Sequence, residues 1–363
     1  MALQIGIIGL PNSGKSTIFN AMTRAGAQVA GYPFSTVDPN YGMAEVPDDR
    51  LEKVASTAGC SKVIPAGLRL VDIAGLVEGA HRGEGLGNQF LAHIREVDAL
   101  AHAVRCFASP DVAHVRAEID PELDIAVVNT ELILADLAAV ERRKDRIAKA
   151  AKSGERDKAR ELALLERVES ELDREVPVRA MGLSREEEEI LAGLFLLTAK
   201  PVIYVANLGE EQLGVDGPLL RSVRDVAAAE GAGLVAFNAR LEAEIEELEP
   251  GEVREFLDAY GIDSLGLEEF AARCYSLLGL MTFFTTESGE CRAWPLREGS
   301  TAVQAAGKIH TDMEQGFIRA EVIAWERFLE YGSFHIARDR GAVRVEGRDY
   351  IMRDGDVILF RFS

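Results

Sequence analysis

Apolar positions fall in short solid runs near the start and middle of the chain, and in a helical rhythm between them. Leu3 to Ile8 form one such run, ending at a glycine-rich turn, and Thr17 to Thr23 continue with helical character, so the spacing predicts strand, loop, helix. Gly67 to Ile73 and Pro201 to Ala206 predict two further strands, one stopping at Asp72-Ile73-Ala74-Gly75 and the other at Asn207. Polar residues thus gather where strands stop. In an open α/β sheet, the edge beyond the carboxyl ends of parallel strands is where ligands bind.

Pro121 to Glu175 is rich in Ala, Leu, Glu, Lys and Arg, with almost no turn residues except Ser153-Gly154. This predicts a helical hairpin whose first arm, at about 30 residues, is roughly 45 Å long. On the second arm Leu162, Leu165, Val168 and Leu172 recur at spacings of three and four, so the arms should pair as an antiparallel coiled coil. Pro177 closes the hairpin, and Ser184 with Glu187 reads as a capping box opening a helix that returns to Pro201. From Met281 onward the pattern shifts to short β-type runs (Met281 to Thr285, Glu290 to Pro295, Ala342 to Val345, Asp356 to Phe362) with Gly turns and one helix near Val303, a small terminal α+β domain.

The 363 residues carry 40 Lys+Arg against 60 Asp+Glu, a net charge of −20. That is length enough for two to three domains, and the average surface repels phosphate backbones and anionic lipids. Any nucleic-acid partner must therefore meet a local basic patch, and Arg142 to Arg160 is one, with nine Lys or Arg against three acids. Glu242 to Asp258, with eight acids and one Arg, reads as a solvated helix face. The four cysteines are scattered without a C-x-x-C pair, which suggests reduced thiols in a cytosol rather than a disulfide framework or a zinc site. No apolar run reaches the 18 or so residues that span a bilayer, so a cytoplasmic protein with no membrane partner is expected.

Chemistry enters at Gly9-Leu10-Pro11-Asn12-Ser13-Gly14-Lys15-Ser16, which satisfies G-x-x-x-x-G-K-[ST] between a predicted strand and helix. Its glycines let backbone N–H groups turn inward around phosphates, Lys15 neutralises them, and Ser16 ligates Mg²⁺. Asn12, Ser13, Gly14, Lys15, Ser16 and Thr17 form the expected phosphate-binding set. At the end of the second strand, Asp72 is placed to hold the Mg²⁺ shell and the Gly75 N–H to sense a γ-phosphate. Thr36 lies between two Pro-containing turns, either as a second hydroxyl ligand of Mg²⁺ or as a plain loop threonine. Asn207-Leu208-Gly209-Glu210 stands where such a sheet presents its base-reading loop. GTPases use N-K-x-D there; with Leu208 for the Lys and Glu210 for the Asp, the brace over the base is lost and the carboxylate is displaced by a methylene, so guanine should be poorly held. The alternative is that Glu210 only solvates the loop.

These motifs resemble the YchF family, the Obg-like ATPases of the translation-factor class of P-loop NTPases. The likeness covers essentially the whole chain and is carried by G-L-P-N-S-G-K-S, the D-I-A-G-L-V-E-G-A-H-R-G-E-G-L-G-N run at 72 to 88, the N-x-x-E at 207 to 210, and the closing segment. It implies an α/β fold: a P-loop G domain (1–125 and 197–280), an inserted antiparallel helical hairpin (126–196), and a C-terminal ubiquitin-like β-grasp, or TGS, domain (281–363). It further implies a Mg²⁺-dependent, ATP-hydrolysing switch that prefers ATP to GTP, associated with ribosomes, translation or stress regulation. The partner would be the large ribosomal subunit, met by the basic hairpin tip as an electrostatic foot for ribosomal RNA, with no DNA expected; charged tip residues are also what any exposed coiled coil carries. The chain departs from many G-domain relatives at Asn238-Ala239-Arg240, where they have S-A-K, which leaves the base contacts of Asn238 and Ala239 open. Leu76 stands where Ras-like GTPases place a water-orienting Gln, so hydrolysis needs another group. His81 and His114 both lie in loops, and in the family the histidine matching His114 is the proposed catalytic replacement. Asn12 matches the position that places K⁺ beside the phosphates in potassium-activated relatives. Two rivals stand beside this reading: a GTPase of the same architecture, and a nucleotide-gated interaction module with negligible turnover.

Overall fold

The computed structural model describes residues 3–24, 39–73, 75, 79, 86–108, 118–152, 155–245, 248, 250–260, 262 and 264–363. In chain order the first half holds β1 (Gln4–Ile8), α1 (Lys15–Arg24), β2 (Asn40–Val46), α2 (Asp49–Ala58), β3 (Lys62–Ile64), β4 (Ala66–Asp72), α3 (Leu86–Glu96) and β5 (Ala99–Cys106). Next come α4 (Pro121–Lys152), α5 (Arg156–Leu172), α6 (Arg185–Leu191), β6 (Val202–Leu208), α7 (Pro218–Glu230), β7 (Gly233–Phe237), α8 (Ala239–Ile245), α9 (Pro250–Tyr260) and α10 (Gly266–Leu277). The last part holds β8 (Leu280–Glu287), β9 (Glu290–Arg297), α11 (Ala302–Ile309), α12 (Thr311–Gln315), β10 (Phe317–Ala324), α13 (Trp325–Tyr331), α14 (Phe334–Asp339), β11 (Arg344–Glu346) and β12 (Asp356–Phe362). Two compact units result, one of Met1–Met43 with Arg69–Phe270 and one of Ala44–Leu68 with Ala271–Ser363.

The first sheet has the order β2-β4-β1-β5-β6-β7. β1 pairs in parallel with β4 and β5, β5 with β6, and β6 with β7. Every residue of β5 and β6 is buried, as expected of parallel strands covered on both faces. Because these strands run the same way, Ile8, Asp72, Leu208 and Phe237 end at one edge.

The hairpin is as the spacing predicts. Ile133, Val140 and Ile147 of α4 recur at intervals of seven and pack with Leu164, Leu165, Val168 and Leu172 of α5. Two seam positions are charged: Glu161 is buried between Arg143 and Lys158 at 2.6 and 2.9 Å, and Lys144 pairs with Glu169. Paired charges at defined seam positions favour one register of the two arms. The middle of α4 is anchored by Asp136, which accepts the Leu197 and Thr198 N–H groups and the Thr198 hydroxyl at 2.7 to 2.8 Å. The Ser184–Glu187 capping box is present, but the helix it opens stops at Leu191. Phe195 then turns the chain with φ of 51°, a left-handed conformation that ends helical continuation before Pro201.

The second sheet has the order β11-β10-β12-β8-β9-β3. β8 and β9 form a hairpin turning at Ser288-Gly289, both with positive φ, the requirement of a tight two-residue turn. β12 lies parallel to β8, β10 is antiparallel to β12 and β11, and α11 packs on the core of Phe283, Val322, Ile358 and Phe360. This is the β-grasp arrangement. Its strand β10 is not among the runs that the apolar pattern predicts. The sheet also takes in β3, whose Lys62, Val63 and Ile64 pair in parallel with Glu290, Cys291 and Arg292. With α2 and the Arg50 guanidinium between Asp48 and Asp354, this brings residues 44–68, expected from sequence in the nucleotide domain, into the C-terminal unit. No helix among the described residues is long and apolar enough to cross a membrane.

Candidate nucleotide site

The loop from Gly9 to Ser16 folds as a phosphate cradle. Gly9 and Gly14 have φ of 145° and 98°, and Asn12 sits in the left-handed region at 64°. A side chain at Gly14 would place its Cβ 2.1 Å from Asn207 Nδ2, so glycine is demanded by both backbone and neighbour. The Ser13 hydroxyl is buried and has no hydrogen-bond partner among the described residues, an orphan that suits a ligand oxygen. Lys15, 7% exposed, donates from Nζ to the Leu10 carbonyl at 2.8 Å. Burial drives its pKa down to about 8 despite the opposing pull of Asp72. An ammonium so held is short of negative charge, and a phosphate would supply it.

Ser16 donates its hydroxyl to Asp72 Oδ2 at 2.8 Å, bringing together two of the three predicted Mg²⁺ oxygens. Burial raises the Asp72 pKa, against the Ser16 hydrogen bond and Lys15. A hydroxyl and a carboxylate oxygen side by side are hard ligands, and Mg²⁺ characteristically takes one or two such protein groups with phosphate and water completing its shell. The donor set fits. Gly75 lies against the cradle: a Cβ there would meet Lys15 Nζ at 3.2 Å and the Pro11 nitrogen at 3.3 Å. Thr36, Leu76, His81 and His114 lie outside the described residues.

Asn207 ties the cradle to the start of α8. Its Nδ2 donates to the Ser13 carbonyl and its Oδ1 accepts the Ala239 N–H, both at 3.1 Å and both buried. The Asn238 side chain accepts the Leu241 N–H and so caps α8. Leu208 is buried in the sheet core. Glu210 is held from outside its own loop, accepting the Tyr260 hydroxyl at 2.5 Å, with Phe256 stacked on the Tyr260 ring. A cavity of about 600 Å³ opens among these groups, lined by Asn12, Gly14, Lys15, Ser16, Thr17, Asn207, Leu208, Glu210 and Asn238 from the predicted set. Ser13, Asp72, Gly75 and Ala239 are not among the residues that line it.

Phe107, Ala108, Arg240 and Glu244 also line the cavity, outside the set expected from the sequence. Phe107 follows β5, and the Arg105 guanidinium lies 4.5 Å from its ring centre, so the position could have been found from the rule that every strand end of this sheet faces the site. Arg240 pairs with Glu244 one helical turn on. Glu242, expected from sequence on a solvated face, is instead buried and accepts the Gly266 and Leu267 N–H groups at the start of α10.

A family model described as a 50S ribosome-binding GTPase matches residues 4–135, and the YchF-GTPase_C model, described as a protein of unknown function, matches 280–363. The chain is 46% identical over 365 residues to a ribosome-binding ATPase YchF of Bacillus subtilis and 47% identical over 363 residues to one of Haemophilus influenzae, with 100% of each chain covered. The solved structure of the Schizosaccharomyces pombe YchF GTPase superimposes with a TM-score of 0.87 at 32% identity, covering 99% of this chain and 97% of that one. On full-length identity at this level, the P-loop cradle and the β-grasp domain, the chain belongs to the YchF family.

Proposed function

We propose that the protein binds ATP with Mg²⁺, hydrolyses it slowly, and uses the two nucleotide states as a switch in ribosome association. The observation that carries this is the cavity that a buried Lys15 and Ser16 line together with the N-x-x-E loop, with Asp72 hydrogen-bonded to Ser16 and the orphaned Ser13 hydroxyl in the same cradle. The curated relatives are named as ribosome-binding ATPases, whereas the yeast structure is named a GTPase. ATP is favoured because Leu208 is packed in the core rather than extended over a base, and Glu210 is engaged by Tyr260. A guanine N1–H and N2 amine would find no carboxylate in register.

In this reading Lys15 and the cradle N–H groups hold the β- and γ-phosphates, and Gly75 faces the γ-phosphate. Ser16 and Asp72, with Thr36, would hold Mg²⁺, which supplies charge neutralisation at the phosphates. Asn12 would place K⁺ beside them. With Leu76 unable to orient water, His114 does so when its loop brings it near, so intrinsic turnover is slow and a partner or K⁺ accelerates it. The test is competition between ATP and GTP for binding, joined to phosphate release. ATP should bind at least several-fold more tightly, Leu208→Lys with Glu210→Asp should move preference toward GTP, and His114→Ala should lower kcat with ATP affinity nearly intact. Equal or tighter GTP binding, or parent-rate hydrolysis by His114→Ala alongside a slow His81→Ala, would overturn the corresponding assignment.

A further inference from the structure

Gly79, four residues after Gly75, is tied to α4 by a buried carboxylate that the nucleotide site does not use. Gly79 donates its N–H to Glu131 Oε1 at 2.6 Å. Its φ of 87° is one that side-chain-bearing residues rarely adopt, so glycine is required at the point of contact. Glu131 is 4% exposed and lies about three turns into α4. Around it, Val128, Leu132 and Ala135 pack into the core of the nucleotide-binding sheet, while Ile133, Val140 and Ile147 pack into the hairpin. Burying a carboxylate among such neighbours costs free energy unless its oxygens are hydrogen-bonded, and a leucine would serve packing better. The bond to Gly79 is part of what offsets that cost.

We propose that Glu131 is a positioning residue for hydrolysis: by gripping the Gly79 peptide, four residues along the chain from Gly75, it holds the backbone on which Gly75 meets the γ-phosphate. This rests on the ATP-hydrolysing reading above. Since α4 is one unbroken helix from the sheet into the hairpin, a load on the hairpin arms reaches the same carboxylate, and the grip joins hairpin position to turnover.

The experiment compares parent, Glu131→Gln and Glu131→Ala in steady-state ATP hydrolysis, binding of a non-hydrolysable ATP analogue, thermal melting, and hydrogen exchange of the peptide containing Gly79. Glu131→Ala should lose about tenfold in kcat. KM and analogue affinity should stay within about twofold, and the Gly79 peptide should exchange faster. Glu131→Gln, whose amide oxygen accepts the same N–H, should recover most of the rate. A Glu131→Ala enzyme at the parent rate, a Gln variant as slow as Ala, or parallel losses of affinity and melting temperature in both would overturn the proposal while leaving the parent an ATPase. A parent that binds ATP without hydrolysing it would overturn the functional reading itself, and this inference with it.

Discussion

Replacing Asn207 with Ala removes one side chain and orphans two buried backbone groups, the Ser13 carbonyl and the Ala239 N–H, each of which loses a 3.1 Å hydrogen bond. An unsatisfied buried group costs about 1–3 kcal/mol, and with some water entering the gap the pair should destabilise the nucleotide-binding unit by about 2–4 kcal/mol. For a unit of this size each kcal/mol lowers the melting temperature by about 2–4 °C, so a fall of about 4–16 °C is expected. Asn207→Asp separates the two bonds: the carboxylate still accepts from Ala239 but places an anionic oxygen against the Ser13 carbonyl. It should therefore lose nucleotide affinity through the cradle while keeping the α8 contact. Differential scanning calorimetry without nucleotide, followed by ATP titration, reads both effects. An Ala variant that melts within about a degree of the parent and binds ATP equally well would refute the claim that Asn207 braces two loops.

Two further outcomes follow from buried and exposed charge. His102 on β5 is fully enclosed, and burial, aided by Arg179 and Lys15, lowers its pKa from 6.5 to about 3. Below pH 6.5 the unfolded chain takes up a proton that the folded chain refuses until about pH 3, so stability present above pH 6.5 is lost as pH falls, by at most about 1.4 kcal/mol per pH unit. His102→Gln should flatten the dependence of melting temperature on pH across that window, and an identical slope would sink the assignment. At the hairpin, Arg142 and Arg146 are exposed and make no ion pair among the described residues, whereas Arg143 and Lys144 are spent on Glu161 and Glu169. If the tip meets ribosomal RNA, Arg142→Gln with Arg146→Gln should weaken ribosome co-sedimentation and reduce its logarithmic salt dependence by about 1 for each phosphate no longer neutralised. Unchanged co-sedimentation at every salt concentration would make the patch a solvated surface.

What the sequence makes legible is what local chemistry forces. The cradle is legible because Gly9 and Gly14 adopt backbone angles that few other residues accept, and Lys15 and Ser16 must follow at fixed offsets. The hairpin is legible because its seam repeats. Pairings between distant segments are not: Glu131 on a helix looks like any solvated acid until Gly79 is found against it, and nothing near Glu210 announces Tyr260. Glu242 shows the same blindness, since a run of acids reads as surface whether or not one of them turns inward to cap another helix. β10 escapes because its inward positions interleave with Arg319 and Glu321, the latter buried by Arg338 and Arg361 rather than by apolar contacts. Strand β3 is three residues long, and its register with β9 is set by residues more than two hundred positions away.

That last pairing has a consequence for how the chain is made. Lys62 and its ion-pair partner Glu290 are separated by 228 residues, which at about 5–20 residues per second means roughly 10–45 s of synthesis before β3 and the apolar face of α2 (Leu51, Val54, Ala55) can meet their strand. A nascent chain carries that face uncovered for the interval, a natural client for a holdase. The same geometry dictates where the gene can be cut. A fragment ending before residue 280 never covers α2, and one beginning at 281 leaves β9 an open, aggregation-prone edge. A self-sufficient C-terminal unit has to be written as residues 44–68 linked to 271–363.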